Sequence, residues 1–142
     1  MPLLTFDIIE GRSENEIKTL LDAAHRAVVQ AFKVPERDRY QIVHENKAYH
    51  MIIEDTGLGL TRSRDIVVVR VYTSPRSEAQ KQLFYATLQA ELEEHCGLSG
   101  EDLMISVISN HKGDWSFAHG VAQYITGDRR LIDIIETDNT HR

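Results

Sequence analysis

Only one of the 142 residues is a cysteine, Cys96, so the chain has neither an internal disulfide nor a cysteine-rich metal site. Its neighbours His95 and Gly97 put it at a helix end, where the expectation is a half-buried, inert thiol. Positive charge is also scarce. Lys plus Arg number 16 against 22 Asp plus Glu, a net charge of −6, so the basic footprint of sequence-independent nucleic-acid binding is missing. A local arginine cluster that meets a small anion remains compatible with that balance. The longest aliphatic run, Ile66-Val67-Val68-Val69, is far short of a membrane span. Residues Met1 to Asp7 have no basic leader and soon meet an acid, so no signal peptide is expected and the protein is read as cytoplasmic, without a membrane or nucleic-acid partner.

Other machinery is missing too. Seven histidines (25, 44, 50, 95, 111, 119 and 141) are scattered with no His-x-His and no His-Glu-x-x-His, so no metal site is expected. There is no Gly-x-Ser-x-Gly elbow, and the lone thiol has no obvious activating partner. The Gly57-Leu58-Gly59 run precedes a strand rather than a helix and is not a dinucleotide fingerprint.

A hydrophobic fraction of 42% and a charged fraction of 27% suit one soluble globular domain with a core of its own. The chain is written twice. Ser13-Glu14-Asn15-Glu16 is a capping box that opens a helix over 13–32, with apolar residues at Ile17, Leu20, Leu21, Ala24, Val28 and Phe32. Ser77-Glu78-Ala79-Gln80 opens a second helix over 77–96, with Leu83, Phe84, Leu88 and Leu92, and Gly97 as its stop. The offset of 64 between these boxes also pairs Arg12 with Arg76, Val34 with Leu98, Asp38 with Asp102 and Asn46 with Asn110. Strands are expected over 3–9, 40–45, 66–73 and 103–109. The fold class is therefore α/β (α+β): tandem duplicated β-α-β units, giving a four-stranded sheet with two helices on one face. The halves span about 2–46 and 66–110 within one domain, 1–127, followed by a polar tail, 128–142. The all-apolar strand start at 66–69 implies burial on both faces. Two helices cover only one, so copies of the chain are expected to cover the other.

With the usual nucleophiles missing, Pro2 stands out. Its small size favours removal of Met1, which leaves a secondary amine at the start of a strand; the alternative is an idle proline after methionine. Arg12 and Arg76 sit just before the two capping boxes, where an arginine can grip a carboxylate or simply remain solvated; Arg12 is assigned the solvated role. Asp38 could orient water or substrate, although its mate Asp102 suggests a shared turn. Trp115 and Phe117 either wall a pocket or fill core.

Pro2-Leu3-Leu4, Asp38-Arg39-Tyr40-Gln41, Glu54-Asp55-Thr56-Gly57-Leu58-Gly59, Pro75-Arg76-Ser77-Glu78 with Gln80-Lys81, and Asp114-Trp115-Ser116-Phe117 together resemble the tautomerase superfamily. Within it they are most similar to the malonate semialdehyde decarboxylase group. The resemblance runs to about Gly127. It implies a homotrimer, no cofactor, and a small oxo-carboxylate substrate. It also implies Pro2 as the catalytic amine, Arg76 as catalytic and carboxylate-binding residue, Asp38 as assisting group, and Trp115, Phe117 and Tyr124 around the substrate. The implied reaction is decarboxylation of a 3-oxo acid to an aldehyde. The alternatives are keto–enol tautomerisation of 2-oxo acids such as phenylpyruvate, or a non-catalytic binding or signalling protein on the same scaffold. One departure stands out: the group's Arg-Pro-Arg run is here Ser74-Pro75-Arg76.

Overall fold

Two capping boxes fix where the helices begin. Ser13 Oγ accepts from the Glu16 amide at 3.1 Å while Glu16 Oε1 accepts from the Ser13 amide at 2.9 Å, which starts helix α1, Glu14–Phe32. Ser77 and Gln80 repeat this at 3.1 and 3.0 Å to start α2, Glu78–Cys96. Each N-cap contributes about 1 kcal/mol. Both helices run 19 residues and stop in a left-handed residue, Lys33 at φ 57° and Gly97 at φ 65°, again 64 apart. Glycine takes that conformation without a Cβ clash; Lys33 takes it at a cost of about 1 kcal/mol.

The computed structural model describes residues 1–127, and the tail expected over 128–142 lies outside the described residues. Its strands are β1, Pro2–Ile9; β2, Tyr40–Asn46; β3, Val67–Thr73; and β4, Leu103–Ser109. They form one sheet in the order β2-β1-β3-β4, with β1 parallel to β2, β3 parallel to β4, and an antiparallel β1–β3 seam between the halves. This is the tandem β-α-β arrangement expected from the repeat.

The offset is not uniform. It holds at 64 through both helices and the turns at Asp38 and Asp102, whose amides donate to Pro35 and Ser99 carbonyls at 3.0 Å. It then loses one residue, because Tyr40 lies opposite Leu3 but Leu103 lies opposite Val67. The expected pairing of Asn46 with Asn110 is therefore corrected: Asn46 sits opposite Ile9, whereas Ser109 takes the corresponding place opposite Thr73.

The core lies between the sheet and the two helices. Leu4, Phe6 and Ile8 of β1 and Val67, Val69 and Val71 of β3 meet Leu20, Ala24, Val28 and Phe32 of α1 and Phe84, Leu88 and Leu92 of α2. Burying each of the larger side chains contributes about 1.5–3 kcal/mol. The far face of the sheet is open in the single chain. Val68 is half-buried and Arg70 exposed, so β3 alternates instead of being buried on both faces. Ile42, Met104 and Ile108 are exposed apolar side chains on the outer strands. Among the described residues no helix is long and apolar enough to cross a membrane.

Candidate active site

Strand register gathers the candidate residues at one end of the sheet. Pro2 is the first residue of β1 and pairs with Thr73, the last of β3, while Leu3 pairs with Tyr40, the first of β2. Pro2 therefore lies between the turn that enters β2, which carries Asp38, and the segment that leaves β3 toward Arg76. Pro2, Thr73 and Ser74 are all buried. Met1 is enclosed in front of Pro2, and its amino nitrogen lies 3.5 Å from Asp38 Oδ2. Asp38 is itself 3% exposed. A carboxylate so far from water favours a positive partner, and here that partner is the chain's amine.

Arg76 is buried and held from three sides. Its Nε donates to Thr73 Oγ1 at 3.1 Å and its Nη1 to the Phe32 carbonyl at 3.4 Å, while its guanidinium carbon lies 4.7 Å above the Phe32 ring. Phe32 in turn stacks on Phe84 at 4.9 Å. The end of α1 thus forms a floor under an arginine supplied by the start of α2. Thr73, which accepts from Arg76, is the residue paired with Pro2.

The aromatic residues form a second group. Trp115 stacks on Phe117 at 5.7 Å, Phe117 on Tyr40 at 6.0 Å, and Tyr124 meets the Phe117 ring edge-on at 5.5 Å. Trp115, Phe117 and Tyr124 are each half-buried. Their segment is anchored at both ends. The Asn110 amide donates to the Thr73 carbonyl at 2.8 Å, and Asn110 Oδ1 accepts from Trp115 Nε1 at 2.8 Å. Gln123 accepts from the Phe117 amide at 2.9 Å and donates to the Ala118 carbonyl at 2.7 Å.

Tyr40 links the two groups. Burial, and then the negative charge of Asp38, push its phenol above the ordinary tyrosine range, so it stays neutral and able to donate. The repeat gives no hint of it, because the corresponding position in β4 is the apolar Leu103. Thr73 and Asn110 hold Arg76 and Trp115 from three and five residues away, and Phe32 meets Arg76 across 44 residues; no local motif marks any of the three. Elsewhere, a cavity of about 230 Å³ between the start of α1 and the end of α2 is lined by Arg12, Glu16, His95 and Cys96 among others. Cys96 is exposed rather than half-buried, and desolvation raises its thiol pKa. Among the described residues no group of three His, Cys, Asp or Glu is placed to hold a metal ion.

The duplicated β-α-β sheet thus gathers Pro2, Asp38 and Arg76 at one end. Two family models of tautomerase enzymes match the sequence, over residues 38–118 and 2–61, and the chain belongs to that superfamily. It is 54% identical over 127 residues to the probable tautomerase YrdN of Bacillus subtilis (strain 168), covering 89% of this chain and 98% of that one. Among solved structures it is closely related to a malonate semialdehyde decarboxylase with decarboxylase and hydratase activities. That match has 48% identity, a TM-score of 0.86, and covers 89% and 98% of the two chains. A second, FG41 malonate semialdehyde decarboxylase inhibited by 3-bromopropiolate, matches at 36% identity and a TM-score of 0.84 over 88% and 95%.

Proposed function

We propose that this chain, once Met1 is removed, is a cofactor-independent decarboxylase of malonate semialdehyde or a close 3-oxo acid. The observation that carries the reading is the enclosed amine of the chain start beside Asp38, on the same sheet end as Arg76. Removal of Met1 opens a methionine-sized space in front of Pro2 and leaves the freed proline amine as the positive group on the side of Asp38. A neighbouring carboxylate favours the charged amine, which suits an electrophile.

Arg76 binds the substrate carboxylate and Pro2 acts on the carbonyl, by hydrogen bonding when protonated or by iminium formation when neutral. The bond to the carboxylate breaks, its electron pair passes into the activated carbonyl, and carbon dioxide leaves. On the hydrogen-bond route the resulting enol takes a proton at carbon to give acetaldehyde. On the iminium route, whose formation releases water, the product is an enamine on Pro2, which takes a proton at carbon and is then hydrolysed to acetaldehyde and the free amine. Asp38 keeps the amine charged or orients water, while Trp115, Phe117 and Tyr124 wall the space and limit access of bulk water. Residues 1–127 act as one domain. The exposed Ile42, Met104 and Ile108 support a homotrimer that covers the open sheet face.

Ser74 favours keeping tautomerisation of 2-oxo acids as the second reading, because one arginine of the decarboxylase run is replaced by a buried hydroxyl residue. The test is carbon dioxide release from malonate semialdehyde by protein whose intact mass shows loss of methionine. Pro2→Ala is expected to lower kcat at least about 100-fold. No release, with phenylpyruvate tautomerised instead, would transfer the assignment to the second reading. A folded protein active on neither, and indifferent to Pro2→Ala, would leave the binding role.

A further inference from the structure

The third residue of each helix does the same local task with different chemistry. In α1 it is Glu16, whose carboxylate accepts from the Ser13 amide at 2.9 Å; in α2 it is Gln80, whose amide oxygen accepts from the Ser77 amide at 3.0 Å. Their surroundings differ. Glu16 is exposed, whereas Gln80 is 9% exposed and its Nε2 has no hydrogen-bond partner among the described residues. The cap settles the orientation of the amide, because only Oε1 can accept from Ser77.

An arginine precedes each cap, and this makes the difference consequential. Arg12 and Glu16 line the same two cavities, one at the start of α1 and the end of α2 and the other beside Arg64 and Asp65. The Ser13 amide and hydroxyl hold the Glu16 carboxyl below its usual range, and Arg12 adds to that. The 64-residue offset carries this pair onto Arg76 and Gln80, where Arg76 is only 7% exposed. A carboxylate at position 80 would cap α2 as well as Glu16 caps α1. It would also partner Arg76 in a poorly hydrated setting and repel an incoming carboxylate.

We infer that Gln80 is a specificity-determining residue: it caps α2 without charge, and so keeps the Arg76 end of the site selective for a carboxylate-bearing substrate. The inference rests on Arg76 as the carboxylate-binding group. Gln80→Glu is the discriminating variant because it preserves the cap. Two readouts separate binding from fold and from chemistry: the KM and kcat for malonate semialdehyde, and the Kd for malonate from the fluorescence of Trp115, the chain's one tryptophan. Gln80→Glu is expected to raise KM and Kd roughly tenfold, with kcat falling less than about threefold and Tm nearly unchanged. Gln80→Met, which cannot cap and adds no charge, lowers Tm and raises KM far less. Glu16→Gln leaves KM and Kd as they are. Unchanged KM and Kd in folded Gln80→Glu would overturn the inference, as would an equal rise in Gln80→Met. Arg76→Ala separates the two levels. If it weakens malonate binding while Gln80→Glu does not, only the role of Gln80 fails. If Arg76→Ala binds malonate as well as the parent, the reading of Arg76 fails first.

Discussion

The two ends of the β1–β3 seam carry the same acid and the same arginine and use them differently. At one end Asp102 accepts from the amide and hydroxyl of Ser63 at 2.7 and 2.5 Å, and Arg12 donates to the Asp65 carbonyl at 2.7 Å. Both are occupied by the backbone that enters β3. At the other end Asp38 lies beside the amino group of Met1, and Arg76 rests on Phe32 and Thr73. The floors differ as well. Phe32 fills the space under Arg76, while its mate Cys96 is small and borders an open cavity beside Arg12. The same fold element thus meets the segment that enters β3 in one copy and the amino end of the chain in the other. What separates them is an amine where the second copy has a continuous peptide.

Replacing the two arginines breaks this comparison most sharply. Arg76→Ala is expected to raise KM for a carboxylate substrate about 10- to 100-fold, the loss of a charge-assisted contact of about 1.5–3 kcal/mol. Arg12→Ala removes one hydrogen bond to a backbone carbonyl, so it should cost about 0.5–1.5 kcal/mol of stability and leave KM unaltered. Steady-state kinetics with urea unfolding on both variants checks the pair. Equal kinetic effects would mean that the two ends are not functionally distinct.

The aspartates come next. Asp102→Asn puts an NH₂ where two donors converge and should lower stability by about 1–3 kcal/mol, read from the urea midpoint, with kcat unchanged. Asp38→Asn should lower kcat by more than it lowers stability. A variant of Asp38 that unfolds as Asp102→Asn does, yet turns over normally, would return Asp38 to the structural turn role its repeat mate suggests.

Much of this framework is legible before any coordinates, because capping boxes and amphipathic spacing are local. Ser13 with Glu16 and Ser77 with Gln80 locate both helix starts, and the 64-residue offset yields the doubled topology. What local pattern cannot supply is register. The residue lost between Asp102 and β4 is invisible until Leu103 is seen opposite Val67, and it undoes the pairing of Asn46 with Asn110. Asn46 Nδ2 donates to the Ile8 carbonyl at 3.2 Å, whereas Asn110 orients Trp115. Phe32 reads as one more core position of an amphipathic helix, and only the antiparallel approach of α1 and α2 turns it into the floor beneath Arg76, 44 residues away. Lys33 has no glycine signature, yet it ends α1 as Gly97 ends α2, so the stop is set by the chain's path rather than by residue type alone.

Tyr40 gives the smallest expected effect and the finest probe of the difference between the ends, because its counterpart Leu103 cannot titrate. Its phenol is pushed above the ordinary value near 10, first by burial and then by the charge of Asp38. The sign follows from which state ionises first. Below the unfolded value both states hold a neutral phenol and its stabilising contribution is complete. As pH rises through the folded value the unfolded chain has already ionised, and the contribution is lost. Tyr40 is more than a third exposed, so solvent screening keeps this loss small. The difference in ultraviolet phenolate absorbance between the parent and Tyr40→Phe should therefore show a midpoint above that of free tyrosine. Asp38→Asn should lower that midpoint only in part, since burial is the larger cause. Complete reversal would make the carboxylate the dominant influence on Tyr40. No reversal at all would detach Asp38 from the aromatic group, leaving Tyr40 as a wall residue whose link to the amine end runs only through β1.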